Sequence, residues 1–337
     1  MLDRLLGAMG RPWDWVQVEV SSRCNARCLY CPHTTLAPSW AGRLMNMETF
    51  GRLLPSLKRA RLVHLQGWGE PLLNPDFWTM ARLAREKGCQ VGTTTNATLL
   101  DAEAARRLVK VGLSVVGISL AGVDAHNDEI RKGTSLAQAL KAIEDIAGAK
   151  ARAGADRPAI HVAYLALRSR LDDVQRLPGL LKDRGVAAVV VSTLDLITDP
   201  GLAEEALWPG DQAEYDRVNS ILEQAALEAQ GLGLAWHHQL PHPAKVARAC
   251  NENVDHALVV NAAGEVMPCV FYNLSAPEPR AWREGRMQPW PQVRFGYVGR
   301  SSLDRIWRSD AYQAFRRSQR QGSPPEGCRS CPKLRMA

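Results

Sequence analysis

Long hydrophobic runs are missing from this chain. No uninterrupted apolar stretch approaches the ~20 residues of a membrane span, although hydrophobic residues make up 46% of the 337 positions. The stretch Met1 to Gly10 carries charge but no long apolar core and no small-residue cleavage site, so it does not read as a signal peptide. The cytoplasm is the expected compartment, with no membrane partner. There is no repeat at a solenoid period. Formal net charge is +7, with arginines at Arg316-Arg317 and from Arg329 to Arg335. No basic run reaches the length of a nucleic-acid tail and no RNA-binding motif is visible, so nucleic acid is not an expected partner. The basic surface is either simply solvated or suited to an acidic protein partner.

Cysteine is what the chain does have. Eight cysteines in a reducing compartment point to metal binding or catalysis rather than disulfides. Cys24, Cys28 and Cys31 stand in one short loop, spaced C-x3-C-x2-C, just after the strand-like run Val16 to Val20. A cubane iron–sulfur cluster normally takes four thiolates, so a loop offering three leaves one iron open for chemistry. A zinc site completed by His33 is the alternative. Cys250, Cys269, Cys328 and Cys331 form a second set, enough to saturate one zinc or one cubane cluster. Cys89 stands alone and reads as a small buried hydrophobe at the start of a strand.

Between these sets the chain alternates strand and helix. Period-2 patterning marks Val16 to Val20 as the first strand, and Leu62 to Gln66, Gln90 to Thr95, Ser114 to Leu120, Ala159 to Leu167 and Ala188 to Thr193 read as the following ones. Helices are expected from Met47 to Lys58, after a cap at Asn74 with Pro75 at its first position, after Asp101, along Leu136 to Ile146, from Leu171 to Arg184 and from Asp211 to Gln230. Residues 32–46 lack periodicity and read as a loop over the site. Alternation of this kind implies right-handed βαβ units and a parallel sheet with its site at the carboxyl ends of the strands. The cluster loop, Gly67-Trp68-Gly69-Glu70-Pro71, Asn96 and Ala121-Gly122 all follow strand ends. After about residue 240 the alternation stops and cysteine, proline and tryptophan rise, which places a boundary near residues 240–248. Trp236-His237-His238 and His242 near that boundary read as surface or cleft residues rather than a metal site.

The three-cysteine spacing after a first strand resembles the radical S-adenosylmethionine (SAM) enzymes. The resemblance implies a partial parallel (β/α)6 barrel, TIM-like, with SAM chelating the open iron and yielding a 5′-deoxyadenosyl radical on reductive cleavage. Gly67-Trp68-Gly69-Glu70 looks like that family's Gly-Gly-Glu motif, with Trp68 as a departure. It implies a SAM-amine site at Gly69 and Glu70. Ser119 falls where a polar residue contacts ribose or methionine, while Ala121 replaces an aspartate common in this branch. Arg131 matches an arginine near the SAM carboxylate, and a guanidinium suits that group. Asn96, in Thr-Asn-Ala, either holds its loop or touches the ligand. Tyr30 occupies the position that packs by the adenine.

The second cysteine set resembles the SPASM/twitch subgroup: a C…G-x4-C hairpin and a terminal C-x2-C, as in the shorter twitch form with one auxiliary [4Fe–4S] cluster. Expected domains are therefore a radical SAM barrel over residues 1–245 and an auxiliary iron–sulfur domain over 246–337. The expected activity is hydrogen abstraction from a small-molecule substrate, with oxidation through the second cluster and a flavodoxin or ferredoxin as electron donor. A peptide- or protein-modifying maturase is the alternative, and a non-catalytic iron–sulfur or zinc protein that binds nucleic acid the remaining one. The first strand starting by Val16 leaves no room before it for a separate peptide-binding domain, which favours the small molecule.

Overall fold

The computed structural model describes residues 11–245 and 250–335. Met1 to Gly10 and the last part of the expected boundary, 246–249, lie outside them. Seven parallel strands run in sequence order across one sheet: β1 (Trp13–Val18), β2 (Ala60–Leu65), β3 (Gln90–Thr95), β4 (Val115–Leu120), β5 (Ala159–Leu165), β6 (Ala188–Ser192) and β7 (Ala235–His238). Alternation gives the sheet two unlike faces. Val16, Val18, Val63, Leu65, Val116, Ile118, Ile160 and Val162 are all fully buried. Gln17, His64, Thr94, Ser119 and His161, of opposite parity, line the concave side, where His64 Nε2 and Thr94 Oγ1 lie 3.1 Å apart.

The outer helices follow local chemistry. The first long one, α1 (Met47–Leu57), starts where Asn46 accepts a hydrogen bond from Thr49 N at 2.8 Å and buries Phe50, Leu53 and Leu57. Asp101 caps α2 (Ala102–Val111) through Ala104 N, and Gly112 ends it. Between them the helix expected from Asn74 is Phe77–Glu86, and Asn74 is not its cap. Its amide instead donates to Val20 O at 2.7 Å and Met45 O at 2.9 Å, fastening the segment that leaves β1. Residues 32–46 contain a short helix, Pro32–Thr35, and a 3-10 turn, Ala37–Ser39.

The sequence predicts six of the seven strands. The seventh, β7, is four residues long at the end of the parallel run, with no side chain fully buried, so it carries no apolar alternation to read. His238 lies 3.3 Å from Glu223 on the preceding helix, Gln212–Gly231.

On the other side of β1 the sheet continues. Strand β8 (Ala257–Val260) pairs parallel with β1, in the register Trp15 with Ala257 and Val18 with Val260. It then turns into the antiparallel strand β9 (Glu265–Met267). The C-terminal segment is thus built onto the barrel sheet itself. Its far end returns to the opposite edge, where the Lys333 ammonium sits 2.8 Å from Asp195, just beyond β6.

Candidate active site

The cluster loop is stapled from several directions. Residues Arg27–Cys28 pair antiparallel with Arg131–Lys132, placing Cys28 opposite Arg131. Leu29 N donates to Ile130 O at 2.9 Å and Cys31 N to Cys28 O at 3.1 Å. Ala26 N points at Cys24 Sγ at 3.4 Å, and the Asn96 amide lies 3.8 Å from the same sulfur and 2.9 Å from Asn25 Oδ1. Amide groups aimed at a thiolate sulfur are a usual feature of iron–sulfur ligation. Burial raises the Cys24 thiol, and burial with the nearby Cys28 pushes Cys31 up to about 12. Thiols so placed are ready for a cationic group to take their protons' place. His33 packs edge-on against Trp40, with ring centroids 5.7 Å apart.

Glu70 and Asn96 are brought together, in a role that the sequence did not suggest. Glu70 is buried, and both carboxylate oxygens are taken by protein donors: Leu72 N and Thr95 Oγ1 on Oε1, Asn96 N on Oε2. It ties the loop after β2 to the end of β3, with two donors on Oε1 and one on Oε2. Gly69 is required by close approach. A Cβ there would lie 2.3 Å from Arg23 O and 2.5 Å from Ser21 O, while Glu70 N donates to Arg23 O at 2.8 Å.

Trp68, the departure from Gly-Gly-Glu, also has a physical reason. Its indole Nε1 donates to Val270 O, next to Cys269, at 3.2 Å. Its backbone N donates to Glu19 Oε1 at 3.1 Å. Glu19 itself was missed by sequence reasoning. It is fully buried, and its other oxygen accepts from Ala262 N at 3.3 Å. Burial raises this carboxyl from 4.5 to about 7, against the lowering by the Asn273 side chain and the Trp68 and Ala262 N–H groups. A charged residue of inward parity, immediately after β1 and five before Cys24, is the signal that points to it.

Arg131 is 4% exposed and donates from Nη1 to the Tyr30 hydroxyl at 2.6 Å; its Nε is buried without a partner. That orphaned donor beside Cys28 and Cys31 fits a site whose remaining occupant is anionic. Ser119 is half-buried on the concave face at the end of β4, away from the loop stapling just described.

The second set also assembles. Cys269 follows β9, Cys328 lies in the short helix Glu326–Arg329, Cys331 caps the turn Pro332–Leu334, and Cys331 N donates to Cys328 O at 3.1 Å. Burial raises Cys269, and Glu252, Cys250, Cys328 and Cys331 add to it, so the four thiols share one environment. The Tyr272 hydroxyl lies 3.3 Å from Cys328 Sγ. Among the described residues no three Cys, His, Asp or Glu side chains close on one point as a single ion requires. All-thiolate donor sets of three and four fit iron–sulfur ligation. Burial would lower the Lys333 ammonium; Asp195 and Glu252 outweigh it and hold Lys333 charged beside this set.

A partial barrel with an open three-thiolate loop at its strand ends, backed by a four-thiolate set, defines an iron–sulfur enzyme. Residues 18–158 match the Radical SAM superfamily, and residues 250–332 match SPASM, an iron–sulfur cluster-binding domain. The chain belongs to the radical SAM superfamily and carries the SPASM type of C-terminal domain. Its cofactors are SAM, a [4Fe–4S] cluster and an auxiliary iron–sulfur cluster. It is 26% identical over 309 residues to the tungsten-containing aldehyde ferredoxin oxidoreductase cofactor-modifying protein of Pyrococcus furiosus, covering 90% of this chain and 83% of that protein. It is 23% identical to the PqqA peptide cyclase of Granulibacter bethesdensis, covering 93% and 78%. The Streptococcus suis SuiB structure bound to S-adenosylmethionine shares the fold, with a TM-score of 0.68 at 15% identity, over 97% of this chain and 72% of that one. Among the described residues no helix is long and apolar enough to cross a membrane.

Proposed function

We propose that this chain abstracts a hydrogen atom from a small molecule held at the barrel mouth, and that the auxiliary cluster accepts or relays the electron. Cys24, Cys28 and Cys31 would hold the catalytic cluster, and Cys250, Cys269, Cys328 and Cys331 the auxiliary one. When bound, the catalytic cluster supplies the electron that cleaves SAM to a 5′-deoxyadenosyl radical. Arg131 would orient the SAM carboxylate with Tyr30 beside it, and Asn96 would hold the Cys24 loop. Gly69 and Glu70 would supply acceptors to the SAM amine, with Glu70 also holding the end of β3 through Thr95 and Asn96. Ser119 would contact the ribose or methionine part of SAM from the concave face.

The observation that favours the small-molecule reading is an apolar cluster at the strand ends. Ala121, Ile130, Leu167, Leu194 and Ile197 form an apolar layer over the strand ends, joined by Tyr30, Trp208 and Trp282. Trp282 N donates to Ile197 O at 2.7 Å, and the Thr35 and Thr198 hydroxyls meet at 2.5 Å, just past Cys31. A roof of this kind suits an enclosed ligand, whereas an extended peptide needs a strand edge or groove. The peptide reading stays open through the likeness to a peptide cyclase. The functional division is 1–245 for radical generation and 246–337 for the auxiliary cluster. A flavodoxin or ferredoxin in the cytoplasm would supply electrons.

The test is anaerobic reconstitution followed by turnover with candidate substrates deuterated at the reacting carbon. Deuterium transfer into 5′-deoxyadenosine from a small molecule supports the proposal. Transfer only from a peptide would replace it.

A further inference from the structure

A cavity of about 390 Å³ near Glu19 and another of about 450 Å³ along β6 and β7 have mixed linings. A third, of about 310 Å³, joins an apolar wall of Trp208 and four prolines to a polar lining of one character. It lies where Trp208 and Pro209 of the barrel and the segment after β7 meet the loop carrying Cys331. Its polar lining is almost all donor: Arg283, Arg329, Arg335 and His242, with Glu284 as the one carboxylate.

None of these three arginines has a carboxylate partner within 4.0 Å among the described residues. Arg283 is the demanding one. It is 6% exposed, held by the end of the hairpin Arg280–Arg283 and Arg286–Pro289. Its Nη1 donates to Glu326 O and Ser330 Oγ, its guanidinium sits 5.2 Å over Trp290, and its Nε is buried without an acceptor. A guanidinium this buried and unpaired is costly unless an anion arrives. His242 is 5% exposed. Its Nδ1 accepts from Ala244 N at 3.1 Å and Lys245 N at 3.3 Å, so Nε2 carries the proton and donates.

We propose that this seam cavity binds the acidic group, carboxylate or phosphate, of a small-molecule substrate, with Arg283 as its buried anchor and Arg329, Arg335 and His242 around it. Planar guanidinium forks match both anions. Trp208 lines the cavity and also packs in the apolar layer that contains Tyr30, so a ligand anchored here lies alongside the roof of the barrel mouth. The inference rests on the small-molecule reading above.

The test uses the reconstituted protein with both clusters loaded, at constant ionic strength. Calorimetric titrations are run with inorganic phosphate and, separately, with glutarate. Saturable binding of either probe is expected, weakened about tenfold in Arg283→Gln by loss of a charge-assisted hydrogen bond and less in the exposed Arg329→Gln. Phosphate alone binding marks a phosphate-bearing substrate, and glutarate alone a carboxylate. Arg329→Gln keeps the test alive if Arg283→Gln does not fold. Failure of both probes to saturate, or binding that survives both substitutions, overturns the proposal. So does an Arg283→Gln protein that binds anions normally but shifts the auxiliary-cluster potential, because Arg283 would then be that cluster's counter-charge. Formation of 5′-deoxyadenosine by the wild-type protein, measured on the same preparation, separates the two ideas: its presence without anion binding sinks this inference alone, and its absence sinks the functional reading.

Discussion

Glu19 makes a quantitative prediction. Its carboxyl is fully buried and raised from 4.5 to about 7. In the unfolded chain it ionises near 4.5, so between pH 4.5 and 7 the folded protein holds the extra proton. Stability from this group is therefore complete below pH 4.5 and is lost as pH rises through 7. A displacement of this size corresponds to about 3 kcal/mol across the window, of which about 2 kcal/mol falls between pH 5.5 and 8. Glu19→Gln removes the titration while keeping an acceptor for Trp68 N. The measurement is the denaturant midpoint of both proteins from pH 5.5 to 8. Wild type should lose about 2 kcal/mol relative to Glu19→Gln over that range. Parallel profiles would falsify the reasoning, because they would mean that Glu19 is solvated or paired and contributes no pH dependence.

Three further outcomes are expected. Gly69→Ala puts a methyl 2.3 Å from Arg23 O, a backbone atom of the cluster loop; iron content should fall from about eight to about four per chain, and full loading with normal SAM cleavage would refute the close-approach argument. Cys24→Ala should abolish 5′-deoxyadenosine formation, while Cys328→Ala should spare uncoupled cleavage better than substrate turnover; equal losses in both assays would leave the second cluster a structural element. Lys333→Met strands Asp195, which is 4% exposed, and should cost about 3–5 kcal/mol in thermal or denaturant unfolding; Asp195→Leu added to it should recover part of that loss, and a double variant no better than the single would show that charge is not the cause.

Much of the site was readable from the chain because its signals are local. Thiol spacing, the strand runs and the cap at Asp101 each depend on residues a few positions apart. The Cys328–Cys331 pair and the hairpin of β8 and β9 were legible for the same reason, whereas Cys250 and Cys269 joined that pair through the SPASM/twitch resemblance. Asn96 was left between two roles, and the structure places its amide on Cys24 Sγ and Asn25. Glu70 was read as an acceptor for the SAM amine, and the structure adds that its oxygens accept from Leu72 N, Thr95 Oγ1 and Asn96 N. Spacing puts a carboxylate in a loop without saying which way it turns.

By itself the sequence determined the alternation that makes a parallel barrel, and it pointed to the three-cysteine loop and the terminal C-x2-C as cluster ligands. It could do so because a handful of neighbouring residues suffices for each. Only the tertiary structure decided that β8 adds beside β1, that Trp68 ties the SAM-side loop to Val270 beside Cys269, and that Glu19 is caught between Trp68 and Ala262. It alone gathered Arg283, His242 and Arg329 around one cavity. These arrangements join residues up to 243 positions apart. Whether a polar side chain in them finds a partner, or is left waiting for one, depends on sheet register and domain return, which no short window of sequence encodes.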